Sequence, residues 1–285
     1  IFDADLKLLK VITGANLKGD ASSRISAVYD AAPRKSFIAG LKDLPEVWEI
    51  SYDPDAKPFF DGYVHDYKMG EAIATPGFLN PRRTVLDVPL DDFFFTQSYE
   101  NLVGASREGR GQVVNLDVRR PIAALDLPGM PHLGSGISWL RDGHRVVAST
   151  NLKDAQVSVI DMQNWQTIAT IPTLGPGFFL RSHEQSPYAW VDSMMSPGAR
   201  DTLQVIDKQK LAVVAQIRSE PGKTFAHVEF DRYGRYVIAS LMEKEGALIF
   251  LDASTFKEIK RLPASKPIGK YNLFNKIQRS EGTSH

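Results

Sequence analysis

Six histidines, 34 Asp and Glu residues and no cysteine bound the chemistry open to this 285-residue chain. The missing thiol excludes a disulfide framework, thiolate metal sites, Cys-attached haem and a Cys nucleophile. Proton transfer then falls to imidazole and carboxylate. His132 is the histidine best placed for it, because Pro131 and Gly134 flank it in GMPHLGSG, a stretch expected to form a stiff loop. A ring held there ligates a metal, donates a hydrogen bond, shuttles a proton near neutral pH, or simply satisfies loop carbonyls. Asp91 and Asp92, in PLDD, are the carboxylates to join it as an acid/base pair, with ordinary turn chemistry as their alternative role. His227, in FAHVEFD, reads as a lining or core residue, while His144 and His183 sit beside turns and His65 and His285 in an insertion and at the terminus. No zinc motif, phosphate-binding loop or nucleophile elbow occurs; the glycines of GASREGRG at 104–111 lie in a hairpin loop rather than before a helix.

The elements that must position these groups show themselves through a repeat. QVVNLD, QVSVID, TLQVID and ALIFLD end at Asp117, Asp161, Asp207 and Asp252, spaced 44, 46 and 45 residues apart. Each is an apolar strand closed by Asp, then a short polar turn and a second alternating strand, which is the outer hairpin of a four-stranded blade. The fold class is all-β, a β-propeller, with five full blades and two partial ones, all in one domain over 1–285. The repeated Asp is a turn former, not a catalytic set. A long C-to-D connection over 54–82 is an insertion suited to binding or assembly, or equally a disordered flap. The chain opens at Ile1 on what reads as the third strand of a blade, so an N-terminal part is expected to be missing.

Strand alternation sorts the loops. The D-to-A segments DASSR, PLDD, GMPHLGSG, TLGPG and ASKPIGK share one end of the blades and converge on a mouth. Arg24 and Lys270 are its cations, suited to ligand carboxylates, with a surface salt bridge as their plainer reading. Phe178 and Phe179, expected to open the inner strand FFLRS, and Tyr271 offer apolar faces to a flat conjugated ligand, with core packing as the alternative, and Gly177 lets backbone approach a ligand or pack closely. The chain carries 34 Lys and Arg against 34 acidic residues, with no basic run beyond a pair, which argues against nucleic acid or anionic membrane as partner. No apolar stretch approaches the roughly 20 residues of a membrane-spanning helix.

Several segments resemble the haem d1 propeller of cytochrome cd1 nitrite reductase. PHLGSG at 131–136 is similar to that family's PHPGRG, and TLGPGFFLRSHEQSPYAWVD, AHVEFDRYG and GKYNLFN at 269–275 follow in the family's order. Two departures stand out: PLDDFFF replaces a segment that carries a second active-site histidine, and Ser135 replaces an arginine. With the tail QRSEGTSH, these changes resemble the NirF family of haem d1 biosynthesis proteins. The resemblance implies an eight-bladed propeller when complete, periplasmic and part of denitrification, which binds a haem d1 precursor such as dihydro-haem d1 in its central mouth and takes part in late side-chain conversion. It implies an oxidoreductase or lactone-opening activity, with a non-enzymatic tetrapyrrole carrier and a nitrite reductase domain as alternatives. Its expected partners are other haem d1 maturation proteins and cytochrome cd1 nitrite reductase. The axial iron ligand and the oligomeric state, a homodimer included, stay open.

Overall fold

The computed structural model describes residues 1–60 and 74–269. Lys270, Tyr271, His65, His285, the tail from 278 and residues 61–73 of the 54–82 insertion therefore lie outside the described residues. Among the described residues, twenty strands form five four-stranded antiparallel sheets. The first holds β1 (Ile25–Ala31), β2 (Ser36–Leu41), β3 (Glu46–Ser51) and β4 (Pro81–Val85), and the second β5 (Asp92–Phe95), β6 (Asn101–Ala105), β7 (Arg110–Asn115) and β8 (Arg120–Asp126). The third holds β9 (Pro131–Arg141), β10 (His144–Asn151), β11 (Gln156–Asp161) and β12 (Thr167–Pro172). The fourth holds β13 (Leu180–Ser182), β14 (Tyr188–Asp192), β15 (Thr202–Asp207) and β16 (Ala212–Arg218), and the fifth β17 (Phe225–Phe230), β18 (Tyr236–Leu241), β19 (Gly246–Asp252) and β20 (Glu258–Ala264). Strands run in chain order across every sheet, the arrangement of propeller blades expected from the repeat.

The recurring Asp does the turn work assigned to it. Asp161, Asp207 and Asp252 each accept backbone N–H bonds from the turn that follows, for example Gln163 at 2.7 Å, Gln209 at 2.9 Å and Thr255 at 2.8 Å. Four residues after each, the chain passes through positive φ at Trp165, Leu211 and Phe256, which turns it back into the fourth strand. Asp117 departs from the set: Asn115 caps its turn instead, and Asp117 pairs with Arg34 at 2.8 Å.

Two compact units divide the chain, Ile1–Ser106 with Gln112–Ala123, and Arg107–Gly111 with Ala124–His285. In the first, Ile38, Val47, Leu90, Phe93, Leu102 and Val114 form one core cluster, and Trp48, Ile50 and Leu41 another. The opening hairpin of this unit is a single antiparallel bridge, Phe2 with Leu8, and the stalk of the insertion closes through Phe59 with Thr75. In the second unit, adjacent sheets bury their facing sides against one another. Ile137, Trp139 and Val159 meet Leu180, Ala189 and Val191, while Trp190, Leu203 and Val205 meet Phe225, Val237 and Ile249. Each fully buried apolar side chain of this size contributes about 1.5–3 kcal/mol.

Two expected boundaries move. GMPHLGSG is not a loop, because β9 begins at Pro131 and pairs Pro131 with Asn151 and His132 with Thr150, across a bulge between Ala148 and Thr150. Across it β9 advances five positions, from His132 to Ile137, against two on β10, so the irregularity takes up three extra residues of this glycine-rich segment. Conversely, Phe178 and Phe179 precede the inner strand, which starts only at Leu180.

Candidate functional site

A line of four rings marks the loop end of the second unit. His132 and Phe178 have ring centroids 4.2 Å apart, Phe178 and Phe179 4.7 Å, and Phe179 and His227 4.2 Å. Both imidazoles are buried, whereas both phenylalanine rings are partly exposed. Three sheets supply the four residues: His132 lies on β9, the phenylalanines on the segment leading into β13, and His227 on β17. Partly exposed aromatic faces flanked by imidazoles make an apolar wall with proton-transferring groups at both ends.

Each ring is held by named bonds. His132 Nδ1 lies 2.7 Å from the Phe178 carbonyl oxygen, and Thr150 Oγ1 donates to the same oxygen at 3.4 Å. The carboxylate of Asp192, buried at the end of β14, accepts the backbone N–H groups of Phe178 at 2.9 Å, Phe179 at 2.8 Å and Met194 at 3.0 Å. Burial pushes this carboxyl above the usual carboxylate range, against the opposing pull of those N–H bonds. At Gly177 a Cβ would overlap the Asp192 carbonyl, so the backbone packs closely there. His227 sits where the β17–β18 register breaks between Ala226 and Glu229, with φ at +52°, a conformation few non-glycine residues adopt.

Behind the wall, a buried ion pair joins two sheets. Arg181, 1% exposed, donates from Nε to Glu229 at 3.2 Å and from Nη1 to Ser135 Oγ at 3.1 Å, and its guanidinium lies 5.7 Å from the Phe179 ring centroid. Ser135 Oγ also accepts the Leu180 N–H at 3.0 Å. Where the resembled family has an arginine at the position of Ser135, this chain brings Arg181 to that hydroxyl from the neighbouring sheet. Arg181, Glu229 and Asp192 were not among the expected site residues. The available signal was a charge inside an otherwise buried strand, LRS for Arg181 and FAHVEF for Glu229.

The remaining expected residues of the first unit are engaged elsewhere. Arg24 makes a surface salt bridge, with Nη2 2.6 Å and Nε 2.9 Å from the two Asp43 oxygens, which is the plainer of its two readings. Asp91 pairs with Lys42 at 2.9 Å, and Asp92 accepts from the Tyr29 hydroxyl at 3.1 Å and from the Phe93 N–H at 2.9 Å. The Lys42–Asp91 pair joins a B-to-C loop to a D-to-A loop, so these loops share one end as the alternation requires. His132 and the two aspartates belong to different compact units. A cavity of about 290 Å³ lined by Arg34, Glu49, Lys57, Phe59 and Arg82 opens at the other end of the first sheet. His144 and His183 fall at A-to-B turns, as expected. Among the described residues, no three His, Asp or Glu side chains converge to hold a metal ion, and no helix is long and apolar enough to cross a membrane.

The family model of the cytochrome D1 heme domain matches residues 1–276. This chain belongs to that family. It is 46% identical over 282 residues to a Pseudomonas aeruginosa protein named dihydro-heme d1 dehydrogenase, covering 99% of this chain and 52% of the relative. A solved structure titled dihydro-heme d1 dehydrogenase NirN in complex with DHE superposes with a TM-score of 0.84 at 44% identity, covering 96% of this chain and 54% of that one. The chain thus spans about half the length of these family members. Hydrazine synthase of Kuenenia stuttgartiensis matches at a TM-score of 0.60 and 14% identity, over 89% of this chain and 70% of that one, a likeness of fold alone.

Proposed function

We propose that this member of the D1 heme family binds dihydro-haem d1, or a close iron-tetrapyrrole precursor of haem d1, and removes two hydrogens from one of its side chains. The observation that carries this reading is the ring line His132–Phe178–Phe179–His227, a wall of the right character for a flat macrocycle with an imidazole at each end. The similarity to a dihydro-heme d1 dehydrogenase supports it.

Dehydrogenation breaks two C–H bonds. In this reading His132 would take one proton and solvent the other, His227 would contact the pigment at the other end of the wall, and two equivalents of an external one-electron acceptor would take the two electrons. Phe178 and Phe179 cover one face of the pigment. Lys270 and Tyr271 join the site on the strength of the resemblance. Asp91, Asp92 and Arg24 are tied to Lys42, Tyr29 and Asp43 within the first unit. A periplasmic setting and transfer of the product to cytochrome cd1 nitrite reductase follow from the same reading.

The second reading is a carrier of the NirF type, which holds the precursor unchanged. PLDDFFF, without the second histidine, favours either reading over nitrite reduction. Mixing the full chain with the precursor and an electron acceptor, then analysing the extracted pigment by mass, separates them. The dehydrogenase reading predicts loss of two hydrogens in the wild type and conversion about 10²–10⁴ slower in His132→Ala, which still binds pigment. Conversion by His132→Ala at the wild-type rate overturns the catalytic assignment.

A further inference from the structure

The bond between His132 and Phe178 has a fixed direction. A carbonyl oxygen only accepts, so at 2.7 Å the proton of that bond belongs to His132 Nδ1. A neutral imidazole that is protonated at Nδ1 carries its lone pair on Nε2. The tautomer of His132 is therefore set by where the Phe178 carbonyl stands, and that carbonyl has no freedom of its own. The Asp192 carboxylate grips the N–H groups on both sides of it, Phe178 and Phe179, and the Phe179 carbonyl in turn accepts the Asp192 N–H at 3.4 Å. Gly177 closes the other side against the Asp192 carbonyl.

We propose that Asp192 is a positioning residue whose carboxylate clamps the Phe178–Phe179 backbone, so that the Phe178 carbonyl fixes the Nδ1–H tautomer of His132 and leaves Nε2 as its proton-accepting nitrogen. The assignment of Nε2 as the acceptor toward pigment rests on the proposed function; the clamp and the tautomer do not. Two carboxylate oxygens accept all three N–H groups, Phe178 and Met194 at Oδ1 and Phe179 at Oδ2. An asparagine has one acceptor oxygen, and its NH₂ would face an N–H donor. Asp192→Asn therefore keeps size and loses one side of the clamp.

The test is nitrogen NMR on the full chain without pigment, labelled with ¹⁵N at histidine. Long-range proton–nitrogen correlations are expected to show His132 Nδ1 as pyrrole-like and Nε2 as pyridine-like. In Asp192→Asn the two signals are expected to move toward each other as both tautomers populate, while those of His144, which opens the same sheet's second strand, stay in place. Thr150→Val, which removes only the weaker donor to the carbonyl, is expected to leave the tautomer unchanged. An Nε2–H tautomer in the wild type overturns the inference, as do unmoved His132 signals in a folded Asp192→Asn. If that variant does not fold, couplings across the hydrogen bonds from the Phe178 and Phe179 amide nitrogens to the Asp192 carboxyl carbon decide the clamp in the wild type, and their absence refutes it. Pigment left unconverted by a protein with the Nδ1–H tautomer refutes the proposed function alone.

Discussion

His132 and Phe178 meet twice: the imidazole Nδ1 bonds the Phe178 carbonyl at 2.7 Å, and the two rings lie 4.2 Å apart. One neighbour thus fixes both the orientation of the histidine and one edge of the aromatic wall. Loss of a positioned general base costs about 10²–10⁴ in rate. Replacing His132 with Ala is expected to lower the conversion rate by that factor and to change the pigment dissociation constant by less than about tenfold, as read by single-turnover absorbance and equilibrium titration.

Phe179 stands between Phe178 and His227 and lies beside the Arg181 guanidinium. An aromatic contact contributes about 0.5–1.5 kcal/mol beyond its buried area. Phe179→Ala is expected to weaken pigment binding up to about tenfold, the equivalent of about 1.4 kcal/mol. Phe179→Tyr is expected to bind as the wild type does. A spectral titration in which the Ala variant binds unchanged removes Phe179 from the site.

The Arg181–Glu229 pair is buried, and breaking such a pair by removing one partner costs about 3–5 kcal/mol, because the other charge stays behind in a poor environment. Arg181→Met is expected to lose stability on that order in denaturant unfolding. Arg181→Met combined with Glu229→Gln is expected to recover much of it, since the double variant carries neither charge. Equal losses in the single and double variants contradict the pairing.

Asp201 supplies a pH signature. It accepts the Gly222 N–H at 2.8 Å, Arg218 Nε and Nη2 at 3.0 and 2.9 Å, and the Thr202 hydroxyl at 2.9 Å. The Gly222 N–H first, with Arg218 and Thr202, pulls its pKa from 3.8 down to about 2. The folded value is below the unfolded one, so this stabilisation is complete above the ordinary carboxylate pKa and is lost as pH falls toward 2. Thermal melts should therefore show Asp201→Asn less stable than wild type at pH 6, with the difference shrinking across the acid limb. A difference independent of pH means that the ionised carboxylate is not its source.

Much of the fold was readable because its signals are local. The Asp-terminated strand and its polar turn lie within a few residues of each other, and their recurrence at Asp161, Asp207 and Asp252 fixed the outer hairpins of the blades. His132 and the Phe178–Phe179 pair were visible for the same reason, through Pro and Gly neighbours. Those neighbours also misled: Pro131, Gly134 and Gly136 read as a loop, whereas Pro131 and His132 pair with Asn151 and Thr150, and the glycines lie in the irregular stretch of β9 that follows. The parts that escaped are non-local. Nothing near Arg181 announces Glu229, 48 residues away, nor Arg24 its partner Asp43, 19 residues away. Asp192 looks like any strand-ending aspartate until the backbone N–H groups of Phe178 and Phe179 are seen to fold onto it.

The most direct measurement of the central claim is the mass of the pigment recovered after the full chain has been incubated anaerobically with dihydro-haem d1 and a one-electron acceptor. Recovery of pigment lighter by two hydrogens, with a bound absorbance spectrum that His132→Ala also shows, is the predicted result. Pigment that binds and returns unchanged, or that never binds, contradicts the account.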